Sequence, residues 1–197
     1  LRHDGLILAS SEASTLAAPG HDVLEDWALI QWIGRRWVLH EKAAGRLAED
    51  VGGYPAIRRA YRKWLSELLR ENTATATDFV LSVFRERTLP AYFRDDTLVC
   101  TLQSSLVRPF LQRHREALFQ DGGRLLVRVI HLMRVACKAS PQWLHDAARV
   151  PSQLLVASGE AWAAVLELVL GGIDLLSAEH IPTALGLIED FAGAIEW

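Results

Sequence analysis

The sequence predicts a mainly α fold, with a short β-hairpin near its amino end followed by a right-angle or solenoid-like array of seven or eight helices. Three observations carry that expectation. Apolar residues recur at steps of three and four over most of the chain, the period of a half-buried helix. Proline and glycine cut that pattern into stretches of roughly 12 to 18 residues. Beyond residue 20 no stretch alternates apolar and polar residues as a half-buried strand would.

The hairpin is expected between Gly5 and Ala18. Leu6, Ile7 and Leu8 form an apolar run, Ser10 to Ser14 supply turn residues, and Thr15 to Ala18 can pair back. Pro19-Gly20 ends it. From Val23 a helical pattern begins, with Val23, Trp27, Ile30, Gly34 and Trp37 on one face, continuing through Leu47 to a stop at Gly52-Gly53. Pro55 suits the first turn of the next helix. There Ile57, Ala60, Tyr61, Trp64, Leu65, Leu68 and Leu69 make one apolar stripe, opposite Arg58, Arg59, Arg62 and Lys63. Asn72 to Thr77 reads as a polar linker, with Thr77 or Asp78 capping a helix over Phe79 to Arg87. Three later stripes follow: Leu126, Val129, Ile130, Met133 and Cys137; Trp162, Val165, Leu166, Val169, Leu170 and Ile173; and Leu185, Ile188, Phe191 and Ile195. A boundary is placed at the double glycine, giving residues 1–53 as the end of a small amino-terminal module and 54–197 as the helical array.

Composition narrows the function classes. With 197 residues, 50% of them hydrophobic and 23% charged, the chain has globular composition and can bury a core. A net charge of −3 gives no overall attraction to nucleic acid or anionic lipid. The most apolar stretch, Trp162 to Leu176, carries Glu167 and falls short of the roughly 20 residues that span a bilayer, so it reads as a buried helix. Cys100 and Cys137 match no metal or redox spacing, and Cys137 sits on an apolar stripe as a buried thiol would. With no disulfide framework and no signal peptide in view, a cytoplasmic location is expected. The single methionine is Met133, and the chain opens and closes on what look like interrupted elements, so a piece of a longer protein is expected.

Catalytic motifs are scarce. Gly52-Gly53, Gly122-Gly123 and Gly171-Gly172 lack the Lys-Ser/Thr of a phosphate loop, and GxSxG, HExxH and CxxC do not occur. The chain itself is therefore expected not to be an enzyme. The dipeptide His-Asp occurs at His3-Asp4, His21-Asp22 and His145-Asp146. Adjacent imidazole and carboxylate can ligate a divalent ion, but such pairs more often lie on surfaces or at helix ends. Trp27, Trp32 and Trp37 turn around their helix and read as packing residues. The basic face at 58–63 reads as solvated, as does Arg113-His114-Arg115, and His131 as semi-buried.

One pair stands in a distinctive context. The hairpin segment GLILASSEASTLAAP runs into GHDVLEDWALIQWI, in which His21, Asp22, Asp26, Trp27 and Ala28 follow a wing-like element. This stretch resembles the winged-helix segment of STAND-type (NOD-like) nucleotide-switch ATPases, and AIRRAYRKWLSELL and DGGRLLVRVIHLMR resemble the helical region downstream in bacterial members. The resemblance implies that residues 1–53 end a winged-helix module and that His21 reaches the β-phosphate of ADP in the resting state, with Asp22 supporting the local backbone. It implies ADP or ATP in the full-length parent and none held by this chain alone, since the nucleotide-binding domain lies outside it. Its partners would be that domain and an unidentified protein ligand, with neither nucleic acid nor membrane. The expected function is a non-catalytic regulatory and scaffold segment that couples nucleotide state to partner sensing or oligomerisation. Two other readings remain: a free-standing helical-repeat interaction module, and a helical metal-dependent phosphohydrolase.

Overall fold

The computed structural model describes residues 7–9, 17–19, 22–71, 73–137 and 156–195, with side chains described from Leu24 onward except at 73, 156–159 and 193–195. Nine α-helices are present among the described residues. They are α1 (Asp22–Leu39), α2 (Ala44–Val51), α3 (Pro55–Glu71), α4 (Thr73–Arg85), α5 (Ala91–Leu102), α6 (Val107–Arg113), α7 (Arg115–Ala136), α8 (Val156–Leu170) and α9 (Ile181–Ile195). A 3-10 turn, Ile173–Leu175, joins the last two. Two three-residue segments, Ile7–Ala9 and Ala17–Pro19, pair antiparallel. Residues 10–16 lie outside the described residues, and segments this short do not support a wing hairpin.

The helices form two alternating layers. α1, α3, α5, α7 and α9 pack in succession, while α2 lies against α4 and α6 against α8, and each even-numbered helix also meets its odd-numbered neighbours. A continuous apolar core runs from Ile33 to Leu187. Aromatic rings lock its first half. Trp37 of α1 meets Trp64 of α3 edge-on at 5.2 Å, both meet Phe79 of α4 at 6.1 and 5.7 Å, and Tyr61 stacks on Phe93 of α5 at 4.7 Å. Such pairs add to the area they bury. In the second half, Trp162 of α8 donates its indole N–H to the carbonyl of Cys137 at 2.5 Å, tying α8 to the end of α7.

Several boundaries differ from expectation. The helix foreseen from Val23 to Leu47 is two helices, because Glu41 and Lys42 adopt left-handed φ of 52° and 65° and turn the chain. Apolar period alone carries across such a turn. Residues 73–77 belong to α4 and are not a linker, since Ala76 is fully buried and anchors that first turn. Pro55 does open α3, and Ala60, Tyr61, Trp64, Leu65 and Leu69 are buried along it. In α7 the stripe Leu126, Val129, Ile130 and Met133 is buried, and so is Cys137 just beyond it. Within α7 the backbone breaks at 120–123, where Asp121, Gly122 and Gly123 have φ of 53°, 67° and 88°. In α9 the buried positions among the described side chains are Ala184 and Leu187, while Leu185 is exposed.

Candidate functional site

Asp22 opens α1, and its side chain, together with His21, lies outside the described residues. So do the pairs His3-Asp4 and His145-Asp146. One turn into α1, Asp26 is buried despite its charge. It shares a stripe with Ile30, Ile33 and Trp37, spaced four, three and four, which is the face α1 turns to α3. Trp27, expected to pack, points away and is 62% exposed.

A buried carboxylate needs partners, and α3 provides them. Lys63 Nζ donates to Asp26 Oδ2 at 2.5 Å and Arg59 Nε to Oδ1 at 2.9 Å. The face expected to be solvated is thus engaged. On the same helix Arg58 donates through Nε and Nη2 to the two oxygens of Asp96 on α5, at 2.8 and 3.1 Å, and Arg62 approaches that carboxylate at 3.8 Å. Neighbouring residues Arg58 and Arg59 are 100° apart on a helix, so they reach opposite flanking helices.

The same division recurs on α5. Asp96 faces α3, while Asp95 accepts both Nε and Nη2 of Arg128 on α7. Arg134 on α7 then meets Asp190 on α9 at 2.8 Å. A series of charge-assisted contacts therefore crosses every junction of the odd-numbered layer, from α1 to α9. Hydrogen bonds from Lys63 and Arg59 hold the Asp26 carboxyl below its usual range, and the bonds to Asp96 and Asp95 raise Arg58 and Arg128.

Beside the α3–α5 junction, the Thr97 hydroxyl donates to the Phe93 carbonyl at 2.7 Å. Its only proton is thereby used, so in the 2.6 Å contact with Tyr61 the tyrosine hydroxyl is the donor. Burial raises the Tyr61 pKa well above 10. Cys100, against the Arg62 carbonyl at 3.5 Å, is pushed up to about 12 by burial, and Cys137 to about 11. Neither thiol supplies a thiolate near neutral pH. Among the described residues no group of three or more His, Cys, Asp and Glu side chains converges to hold a metal ion, and no helix is long and apolar enough to cross a membrane.

Two further expectations are corrected. His114, read as part of a solvated basic triplet, is buried between Phe84 and Phe110, with ring centroids at 5.6 and 5.0 Å, and its Nε2 has no hydrogen-bond partner. Burial, with Arg113 and Arg85 nearby, lowers its pKa. Arg115 of that triplet donates to the Gly171 carbonyl. His131, read as semi-buried, is exposed. Sequence reasoning missed the ion-pair series, although the spacing of Asp26 on the Ile30–Ile33–Trp37 stripe was available to reveal its first member. No family model matches the chain, and a comparison with curated proteins gives no match.

Proposed function

We propose that this chain is a non-catalytic regulatory scaffold of a STAND-like nucleotide switch, in which a contact made by His21 at the head of α1 is passed into the helical array. The observation that supports this reading is Asp26. One turn after His21-Asp22, it fastens α1 to α3 through Arg59 and Lys63. A displacement of the head of α1 would load those bonds, and Arg58 and Asp96 would carry the load onward to α5. In this reading residues 1–53 end a winged-helix module, a neutral or protonated His21 donates to a phosphate oxygen of ADP, and Asp22 holds the local backbone. The ADP and the phosphate loop belong to a nucleotide-binding domain on the same parent chain.

The test uses the parent protein. His21→Ala is expected to speed ADP release and raise basal activity, because a contact specific to the resting state is lost. Asp26→Asn is expected to leave ADP release nearly unchanged while weakening the response of the array. Unchanged ADP release and basal activity in His21→Ala would remove the switch role. A parent coding sequence without a GxxxxGK[ST] loop would do the same.

A second reading is favoured by the two alternating layers. That arrangement is the build of helical-repeat solenoids, which bind protein partners along extended faces without nucleotide. Co-purification of a stoichiometric protein partner, with no dependence on ADP or ATP, would select it.

A further inference from the structure

Apart from the basic face at 58–63, positive charge gathers in a second place on a chain whose net charge is −3. The end of α4, the start of α5 and the broken α7 enclose a cleft of about 1010 Å³, lined by Arg85, Arg87, Arg94, Arg124, Arg128 and Arg134. Only Asp95 and Asp121 line it as acids. Asp95 is committed to Arg128, and Asp190 from outside the cleft pairs with Arg134. Arg87 reaches Asp121 at 4.0 Å at the exposed mouth. Arg85, Arg94 and Arg124 have no carboxylate partner among the described residues. Arg94 Nε and Arg134 Nε are buried without an acceptor.

Guanidinium groups gathered without counter-charge repel one another, and a buried N–H lacking an acceptor is unfavourable. The repulsion is relieved by an anion with several oxygens at the accessible guanidinium nitrogens, because the guanidinium fork matches phosphate geometry. The left-handed residues Asp121 to Gly123 break α7 at the cleft wall, with Arg124 just beyond. The floor is apolar, made by Val83, Phe84 and Leu98. The volume sits at the upper end of small-molecule sites, which run roughly 300–1,000 Å³. A cleft bounded by three helices on a net-negative chain suits a compact anion better than a nucleic-acid strand, which needs a long basic track.

We propose that this cleft binds a small, multiply phosphorylated molecule, its phosphates held by Arg85, Arg94 and Arg124 and its body laid on Phe84 and Leu98. Recognition here is independent of the nucleotide contact suggested for His21. Asp121 at the mouth opposes the ligand's charge and so limits its affinity.

Isothermal titration of the full 197-residue chain with inorganic tripolyphosphate, ATP and orthophosphate tests the idea. One-to-one binding of tripolyphosphate, at least tenfold tighter than orthophosphate, is expected, with ATP tighter still if the apolar floor takes part. Arg85→Gln with Arg124→Gln should weaken tripolyphosphate at least tenfold, and Asp121→Asn should tighten it. Arg35→Gln with Arg46→Gln, an equal loss of charge from exposed sites on α1 and α2, should leave it unchanged. Slowed amide exchange in α4, α5 and α7 on adding tripolyphosphate to the unaltered chain gives a readout that needs no variant. Failure of both tripolyphosphate and ATP to bind would overturn the proposal, as would equal weakening by the control pair. Tighter binding of a single-stranded oligonucleotide than of tripolyphosphate would replace it with a nucleic-acid surface.

Discussion

Asp96 is the most deeply buried carboxylate of the ion-pair series. Only 5% exposed, it faces the fork of Arg58 and the approach of Arg62. Asp96→Ala leaves those cations facing one another beside apolar packing, and we expect a loss of about 2–3 kcal/mol in urea unfolding. Adding Arg58→Ala should cost less than the sum of the two single changes, since the stranded charge goes with its partner. Tyr61→Phe removes one buried donor but leaves the Thr97–Phe93 bond, so a smaller loss of about 1 kcal/mol is expected. Two titrations have opposite partners but the same sign. The Asp26 carboxyl is lowered in the folded chain, so its contribution is complete above the ordinary value of 3.8 and is lost as pH falls through the folded value. Asp26→Asn should remove that acid-side slope in a series of thermal midpoints. His114 is also lowered, so the unfolded chain takes up its proton first as pH drops below 6.5. Stability falls with it, and His114→Phe should flatten the curve just below that pH.

At the level of elements, the helices legible in the sequence were those whose stripe is wholly apolar. Ala60, Tyr61, Trp64 and Leu65 in α3 and Leu126 to Met133 in α7 specify their buried faces unaided. α1 was displaced by one position because its stripe includes a carboxylate, and Trp27 took the place that belongs to Asp26. No local rule reveals that Arg59 and Lys63, some 33 and 37 positions later, will arrive to pair with it. The turn at Glu41-Lys42 carries neither Gly nor Pro, so nothing marked the end of α1. Glycines at real breaks were legible as punctuation, though not for their packing role. A Cβ at Gly123 would overlap Leu176, and its φ of 88° disfavours any L side chain. Gly123→Ala should therefore cost about 2 kcal/mol, a fall of roughly 4–8 °C in thermal midpoint. At Gly53, where nothing lies within reach of an added Cβ, the same change should be nearly silent.

For the whole molecule, alternating layers make stability a sum of neighbour terms. α3 and α5 are flanked on both sides and share the aromatic cluster, whereas among the described residues α2 packs on α1, α3 and α4 and α9 only on α7 and α8. Native-state hydrogen exchange should find the slowest amides in α3 and α5 and the fastest opening in α2 and α9. Uniform exchange across all helices would show that the layers unfold as one unit instead. The pairs with buried carboxylates, at Asp26 and Asp96, should be screened by salt less than the exposed pairs of the surface. The exposed pair Arg108–Glu167 should contribute little at any ionic strength.

The break in α7 also bears on the order of assembly. Opening the helix frees the Gly122 carbonyl, and the chain does not satisfy it locally. Ser177 donates its backbone N–H to that oxygen at 2.9 Å and His180 its Nδ1–H at 2.8 Å, from 55 and 58 residues further on. The two halves of α7 can each wind early, but the joint between them stays loose until the segment before α9 has been made and has docked. Synthesis from the amino end would thus leave α7 as a hinged pair for the time needed to add those residues, and its closure would be among the last events of folding.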